Sequence, residues 1–153
     1  LPVRRAKDMI KVLDMALRGY NLEHGKPPLL PDESRLVRSD ERLLTPLRGK
    51  GNLLSPCERQ FIDCPLARSG IPGLRLESSS GHPASLVDSW GECYYAVFDS
   101  SGDGQIPNPE CISGAAGISN LSVSGLIQAP VILFSSGPDR DPATWRDNIC
   151  SWR

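Results

Sequence analysis

Two loops of this sequence carry oxygen-bearing side chains at a spacing that could bind a hard cation. The first runs from Asp99 to Glu110, and its candidate ligands are Asp99, Ser101, Asp103 and Glu110. These residues hold positions 1, 3, 5 and 12 of a calcium-binding EF-hand loop, and Gly104 holds position 6. The residue types therefore make calcium one candidate occupant.

The setting of this first loop does not suit an EF-hand. An EF-hand loop joins two helices, whereas this loop follows a strand-like run and contains Pro107 and Pro109, which oppose an exiting helix. The stretch FDSSGDGQI, from Phe98 to Ile106, also has the Asp, Ser and Gly residues typical of a hairpin turn. We therefore predict a hairpin turn here, and keep the four ligands as the weaker of two calcium sites.

The second loop lies within residues 135–152, directly after the last predicted strand. Its side chains with candidate ligand oxygens include Asp139, Asp141, Asp147 and Asn148. Such groups repel one another unless water solvates them or a cation bridges them. The residues alone leave both interpretations open, a solvated acidic loop or a calcium-ordered loop, and Arg140 and Arg146 could also neutralise the charge.

No catalytic motif accompanies these loops. The sequence has two histidines, His24 near a predicted helix end and His82 in a predicted loop. It contains no nucleophile elbow, no H-E-x-x-H motif and no glycine-rich phosphate loop after a strand. We therefore expect a protein that is not an enzyme, with a small hydrolase using His82 or a free cysteine as the least favoured alternative.

The five cysteines do not form a recognisable metal or redox motif. They stand at positions 57, 64, 93, 111 and 150, without a C-x-x-C pair and without a histidine at metal-ligand spacing. In an oxidising compartment, Cys57–Cys64 and Cys93–Cys111 are the local candidate pairs. Buried free thiols are an equal alternative.

Composition excludes several classes of function. The 153 residues predict one domain, and a net charge of −1, from 17 basic and 18 acidic residues, gives no general attraction to nucleic acid or anionic membranes. Fourteen Pro and fourteen Gly predict a loop-rich chain. No stretch approaches the roughly 20 consecutive apolar residues of a membrane span.

The elements that must position the two loops are one helix and a few strands. Apolar residues from Val3 to Tyr20 recur every three or four positions and predict a helix over residues 3–24, ended by Gly25 and the prolines after it. A short helix within 34–47 would turn Leu36, Leu43 and Leu44 inward. Strands are predicted at 73–78, 93–98 and 130–136, and a long surface connection at 112–129. The sum is an α+β fold, with a long N-terminal helix on a small antiparallel sheet.

Four segments, taken in order, resemble the pseudopilins of type II secretion systems, in particular the group similar to the major pseudopilin. They are ALRGYNLEHGKPP (16–28), DSWGECYYAVF (88–98), DSSGDGQI (99–106) and VILFSSGPDRDPATWRDNICSW (131–152). The segments correspond to the family's helix end, its D-P-W-G-x-P-Y strand, its Asp-Gly hairpin and its strand followed by S-x-G-x-D and a closing Trp. Residues 29–72 and 112–128 have no counterpart.

The resemblance implies a single pilin-like domain over 1–153. Residues 1–25 would be the second half of the pilin helix, 26–72 an irregular insertion, and 73–153 the sheet and C-terminal loop. The chain would follow a cleaved leader and an apolar helix that anchors it in the inner membrane of a Gram-negative bacterium, with this domain in the periplasm or in an extracellular filament. Its partners would be copies of itself, other pseudopilins and the inner-membrane assembly platform, and it would not bind nucleic acid.

The resemblance also implies a calcium-ordered C-terminal loop. Carried over onto this sequence, the ligands are the side chains of Asp139, Asp147 and Asn148 and the carbonyl oxygen of Ser136. Trp152 would pack and hold the chain end. The sequence departs from the family at Ser89 and Cys93, where proline is usual, and at Asn148, where an acid is usual and whose neutrality weakens calcium binding. A secreted calcium-binding adhesion or carbohydrate-binding module is the alternative function.

Overall fold

A long helix, α1 (Pro2–His24), opens the fold and confirms the helix predicted over residues 3–24. The computed structural model describes residues 1–25, 36–48, 62, 64–76, 83–99, 102–109 and 125–152. Pro2 suits the first turn, where a backbone N–H has no partner within the helix. Gly25 ends the helix in the left-handed region (φ 71°), and its N–H donates to the carbonyl oxygen of Asn21 at 2.8 Å.

A second helix and eight strands follow within the described residues. They are β1 (Val37–Arg38), α2 (Glu41–Arg48), β2 (Gly73–Leu76), β3 (Pro83–Val87), β4 (Tyr95–Phe98), β5 (Gln105–Pro107), β6 (Leu126–Gln128), β7 (Val131–Ser135) and β8 (Ile149–Cys150). All pairings between these strands are antiparallel, in a four-stranded sheet of order β1-β4-β7-β8 and two ribbons, β2-β3 and β5-β6. The α+β class is confirmed, but the sheet is larger than the small one expected.

The main core lies between α1 and one face of the four-stranded sheet. Residues alternate along β7: Val131 and Leu133 belong to this core, whereas Ile132 and Phe134 belong to clusters on the opposite face. The helix contributes Ala6, Ile10, Leu13, Ala16, Leu17 and Tyr20, all buried. The helix stripe predicted from the sequence is therefore the face that covers the sheet, although Val3 at its beginning is 48% exposed.

The segment before β2 adds α2 to the same core. Leu43, Leu44 and Leu47 are each at most 1% exposed and pack in the main cluster. Leu36 does not follow the prediction that it turns inward: it is 44% exposed and precedes β1, outside the helix.

The three predicted strands are present with shorter bounds, as β2, β4 and β7. The long surface connection predicted over 112–129 includes a strand near its end, because Leu126–Gln128 forms β6 and pairs with β5. The pairing places Ile127 opposite the buried Ile106. The rest of the predicted connection, up to residue 124, lies outside the described residues.

The predicted hairpin between Phe98 and Ile106 is also wrong. Strand β4 pairs with β1 and β7, and β5 pairs with β6, so the two strands that flank Asp99 belong to different sheets. The neighbours of β4 come from distant parts of the sequence. A local turn pattern does not reveal such long-range pairing.

Candidate metal centre

The hairpin between β7 and β8 brings the two ends of the C-terminal loop together. Phe134 pairs with Cys150 and Ser135 pairs with Ile149. Continued by one and two residues, this register sets residue 136 opposite 148 and residue 137 opposite 147. Three predicted ligands, Ser136, Asp147 and Asn148, therefore meet where the loop closes.

Gly137 makes this close approach sterically feasible. Its φ of 74° lies in the left-handed region, and a β-carbon at this position would overlap the carbonyl oxygen of Asp147. Any larger residue would push residues 136–137 away from 147–148. The S-x-G pattern of the sequence is thus a geometric requirement of the loop.

Three buried oxygen atoms at this closure have no hydrogen-bond partner: Oγ of Ser136, Oδ1 of Asp147 and Oδ1 of Asn148. The amide nitrogen of Asn148 donates to the carbonyl oxygen of Pro142 at 2.9 Å, and this leaves Oδ1 as the unsatisfied end of the side chain. An unsatisfied buried polar atom costs about 1–3 kcal/mol. A cation or an ordered water molecule bound at this closure would satisfy these three oxygen atoms.

Asp139 and Asp141 lie in the exposed outer part of the loop. Oδ1 of Asp139 accepts the backbone N–H of Asp141 at 2.9 Å, and Oδ1 of Asp141 accepts that of Ala143 at 2.9 Å. These bonds are turn contacts that stabilise the loop by themselves. The structure thus groups three of the four predicted ligands and gives Asp139 an additional backbone role.

The loop carboxylates are not neutralised by their arginine neighbours. Across the described parts of the chain, neither Arg140 nor Arg146 forms an ion pair with a carboxylate. The same residues contain no cluster of three or more His, Cys, Asp or Glu side chains that could hold a metal ion. A bound cation would therefore be held by one carboxylate, one amide, the Ser136 oxygens and backbone carbonyls. This set of oxygen atoms suits calcium and does not suit zinc.

Asp88 positions the loop from outside. Its Oδ2 accepts the hydroxyl of Ser135 at 2.6 Å, and the Ser135 oxygen in turn accepts the N–H of Gly137 at 3.2 Å. Its Oδ1 accepts the backbone N–H groups of Trp90 and Glu92 at 2.9 and 3.0 Å. Asp88 thus links the turn after β3 to the beginning of the loop between β7 and β8.

Burial is the main influence on the ionisation of Asp88. The side chain is 2% exposed, and loss of solvation raises its pKa above the ordinary value, although its hydrogen bonds act in the opposite direction. In the sequence, this residue stands out only as part of a motif. An Asp placed two residues before a turn N–H is the local signal that could have identified it.

The first acidic loop is organised differently. Both carboxylate oxygens of Asp99 accept backbone N–H groups, Oδ1 from Gly102 at 3.0 Å and Oδ2 from Gly104 at 2.7 Å. Oδ1 of Asp103 accepts the N–H of Gln105 at 3.0 Å. Ser101 and Glu110, the other two candidate ligands, lie outside the described residues. The described part of this loop is a capped turn.

An aromatic cluster packs against the loop between β7 and β8, on the face of the sheet opposite α1. The ring centroids of Phe134 and Trp145 are 4.7 Å apart, and that of Trp152 lies 6.1 Å from Phe134 and 6.2 Å from Trp145. Trp145 lies within the loop and is 5% exposed. The loop is therefore held by its middle and by the chain end, as expected for Trp152.

Among the residues that the structure describes, the remaining histidine and cysteine side chains are not brought together in a second site. His24 stacks on Tyr20 with ring centroids 4.2 Å apart, and His82 lies outside the described residues. Cys93 is a buried free thiol beside Arg38, and this contact raises the pKa of Arg38. The Sγ atom of Cys64 lies 3.7 Å from the Sδ atom of Met9. Cys57 and Cys111, the candidate disulfide partners of Cys64 and Cys93, are outside the described residues.

Comparison with known proteins identifies no relative. No protein-family model, no curated protein and no solved structure matches this chain. Among the described helices, none is both long enough and apolar enough to cross a membrane.

Proposed function

We propose that this chain is a structural subunit of a type II secretion pseudopilus or a type IV pilus-like filament, and that it has no catalytic activity. The subunit would be anchored in the inner membrane and would expose this domain to the periplasm. Its partners would be copies of itself, other pseudopilins and the assembly platform. The four ordered motifs support this proposal, together with a feature of α1 that the sequence pattern did not single out.

That feature is a second apolar stripe on α1, on the side away from the core. Val12, Met15 and Leu22 are 42%, 74% and 86% exposed. With Gly19 they follow one line along the helix at spacings of three and four residues. Because the opposite face of α1 already covers the sheet, this stripe is free to pack against another helix. We propose that a helix of a second copy packs on this stripe. The exposed apolar stripe is the observation on which the filament proposal rests.

The C-terminal loop would bind calcium and be ordered by it. Asp147, Asn148 and Ser136 would supply the buried oxygens, with Asp139 contributing from the outer turn. A single buried carboxylate predicts weak binding, since calcium affinity falls with the charge of the ligands. The ion would satisfy the three unpartnered oxygens and hold the loop in one conformation.

The alternative of a carbohydrate-binding module receives no support from the aromatic residues. A sugar-stacking platform needs an aromatic face open to solvent. Tyr20, Tyr94, Phe98, Phe134 and Trp145 are buried, and the other described aromatic side chains, Trp90, Tyr95 and Trp152, are half-buried. We therefore propose only the filament function.

The test changes the outer stripe without touching the core. Met15→Glu and Leu22→Glu place a charge at exposed positions, so each variant should keep its stability within about 0.5 kcal/mol. Filament formation by the full-length protein in its native cells should be lost, because the charge would be buried at a helix–helix contact. Electron microscopy and cross-linking between neighbouring copies measure this loss, and circular dichroism melts check the fold.

Leu36→Glu is the control, because Leu36 is also an exposed apolar residue, at 44%, but does not lie on α1. It should assemble as the unmodified protein does. Normal filaments from both α1 variants, or the absence of any filament from the unmodified protein, would refute the proposal.

A further inference from the structure

A cleft of about 550 Å³ lies between the ribbon β2-β3, the turn at residues 66–70 and the turn that follows β3. Its lining includes the apolar side chains of Leu66, Leu74, Leu76, Val87 and Trp90 and the basic side chains of Arg68, Arg75 and Arg140. The filament proposal uses none of these side chains. The cleft is open to solvent along the ribbon, and this shape suits an extended chain better than an enclosed small molecule.

The basic side chains that line the cleft are not neutralised by described carboxylates. Arg68, Arg75 and Arg140 are all exposed, and no described carboxylate forms an ion pair with any of them. Arg75 is held in place by a neutral group, because its Nη1 donates to the carbonyl oxygen of Gly91 at 3.1 Å. Three guanidinium groups around one cleft create a positive potential that attracts carboxylates.

The one acidic residue that lines the cleft does not offset this charge at the surface. Asp88 is 2% exposed, and both its oxygens already accept hydrogen bonds, from two backbone N–H groups and from Ser135. A ligand in the cleft would therefore meet the arginines and would not meet an exposed carboxylate. Asp139 and Asp141 flank Arg140 in sequence but do not line the cleft.

The apolar residues that line the cleft include large side chains that remain exposed to solvent. Leu66 is 54% exposed and Leu76 is 43% exposed, and Trp90 is half-buried and packs against the main core. An exposed apolar wall beside unpaired cations selects for a ligand that has both apolar groups and negative charge. A simple inorganic anion would use only half of this surface.

We propose that this cleft binds an extended acidic peptide segment of another protein, with carboxylates on the arginines and apolar side chains on the wall formed by Leu66, Leu76 and Trp90. Arg68 and Arg140 recognise the charge. Arg75 combines this role with holding the turn at Gly91. The inference stands apart from the filament proposal, because it uses neither the outer stripe of α1 nor calcium.

Isothermal titration calorimetry with the full chain tests this inference. The probe is a blocked hexapeptide of alternating leucine and glutamate. Two matched peptides serve as controls, one with lysine in place of glutamate and one with alanine in place of leucine. The leucine–glutamate peptide should bind best, and its affinity should fall steeply as salt is raised, because salt screens exposed charges.

The double variant Arg68→Gln/Arg140→Gln should weaken binding by about tenfold, since it removes two charge-assisted contacts. Arg75 is left unchanged to preserve the turn. Lys11→Gln/Arg146→Gln makes the same change of charge at exposed positions that do not line the cleft, and it should alter the affinity less than about twofold.

Several results would overturn the inference. If the lysine peptide bound as tightly as the glutamate peptide, negative charge would have no role in recognition. The alanine peptide or citrate binding as well as the leucine–glutamate peptide would identify a plain anion site. Binding to phosphatidylglycerol vesicles in the absence of any peptide binding would identify a membrane surface. Equal weakening by the control variant would show a general charge effect without a site.

Discussion

The two acidic loops of this protein have similar residue types and opposite hydrogen-bond states. In the loop that begins at Asp99, both oxygens of that carboxylate accept backbone N–H groups, and Asp103 caps the next turn. In the loop between β7 and β8, buried oxygens of Ser136, Asp147 and Asn148 have no partner. The first loop satisfies itself, whereas the second leaves oxygens available to a ligand.

This difference shows that the spacing of acidic residues is a weaker guide to a metal site than whether their side-chain oxygen atoms already accept hydrogen bonds. The Asp99 loop matches the EF-hand pattern more closely, yet its glycines turn the backbone N–H groups toward the carboxylate. The C-terminal loop has a looser pattern, but the register of β7 and β8 closes it around its side chains. The following predictions use matched changes in the two loops.

The largest effect is expected from a pair of glycines with the same backbone angle. Gly137 and Gly102 both have φ of 74°, but a β-carbon would overlap Asp147 at the first and meet open space at the second. Gly102→Ala should cost about 1 kcal/mol, mainly from the left-handed backbone. Gly137→Ala should cost about 3–5 kcal/mol, because steric overlap adds to this term. Urea unfolding measures both, and equal losses would contradict the closed-loop geometry.

Calcium should stabilise the protein through the second loop alone. About 10 mM calcium, at roughly 10 to 100 times a weak dissociation constant, should add about 1.4–2.7 kcal/mol. This corresponds to a rise in Tm of about 3–10 °C relative to the protein in EDTA. Thermal melts followed by circular dichroism measure the rise.

Matched alanine variants assign the calcium effect to a loop. Asp147→Ala should abolish the rise in Tm, and Asp103→Ala should preserve it. A calcium response that survives Asp147→Ala, or that disappears with Asp103→Ala, would move the site to the other loop. No response in the unmodified protein would refute the calcium proposal.

Asp99→Ala should destabilise the first loop without any effect on calcium. Two N–H groups, of Gly102 and Gly104, lose their acceptor, but water can replace it in this exposed turn. We expect a loss of about 1 kcal/mol, similar to the loss of a helix N-cap. Urea unfolding in EDTA and in calcium should show the same loss, and a loss confined to calcium would indicate that Asp99 binds the ion.

The smallest effect concerns pH and Asp88, the residue that braces the second loop. Because burial raises its pKa in the folded state, the native protein takes up this proton before the unfolded chain does as pH falls. The contribution of Asp88 to stability should therefore increase as pH falls through the folded pKa, and be complete below the unfolded value. Asp88→Asn keeps the shape of the side chain and an acceptor oxygen for the N–H groups of Trp90 and Glu92, but it does not titrate and replaces the acceptor of the Ser135 hydroxyl by an amide donor.

The stability of Asp88→Asn relative to the unmodified protein should thus be highest near neutral pH and decline toward acid. Urea unfolding between neutral pH and about pH 4, near the ordinary pKa of an aspartate, measures this difference. Asp99→Asn, in the exposed loop, is the control for general acid effects. Parallel pH profiles for Asp88→Asn and the unmodified protein would contradict the assigned burial effect.

The sequence was sufficient to predict α1, because an apolar stripe that keeps the helical period over about five turns fits neither a strand nor a loop. Strands β4 and β7 were also predictable, since their apolar runs are buried on both faces. Strand β3 was missed because Pro83, Ala84 and Ser85 are weak strand formers, and its position depends on pairing with β2. The two-residue strands β1 and β8 are too short to give any periodic signal.

The candidate site was only partly predictable for the same reason. Asp147 and Asn148 were candidates from their residue types, Ser136 was added through a resemblance, and the register of β7 and β8 then places the three together. The bracing role of Asp88 could not be predicted, because its partner Ser135 lies 47 positions away in sequence. The cleft was likewise invisible, since its arginines come from three separate segments.

The four-stranded sheet ends on both sides in strands of two residues, β1 and β8. Such short edges offer few backbone groups to a strand from another molecule, and Arg38 adds a charge at one of them. The sheet is thereby protected against extension into amyloid-like stacks, even when many copies are crowded together. In the filament proposed above, copies would therefore meet through their helices, and the fibre could be dismantled without breaking a ladder of backbone hydrogen bonds.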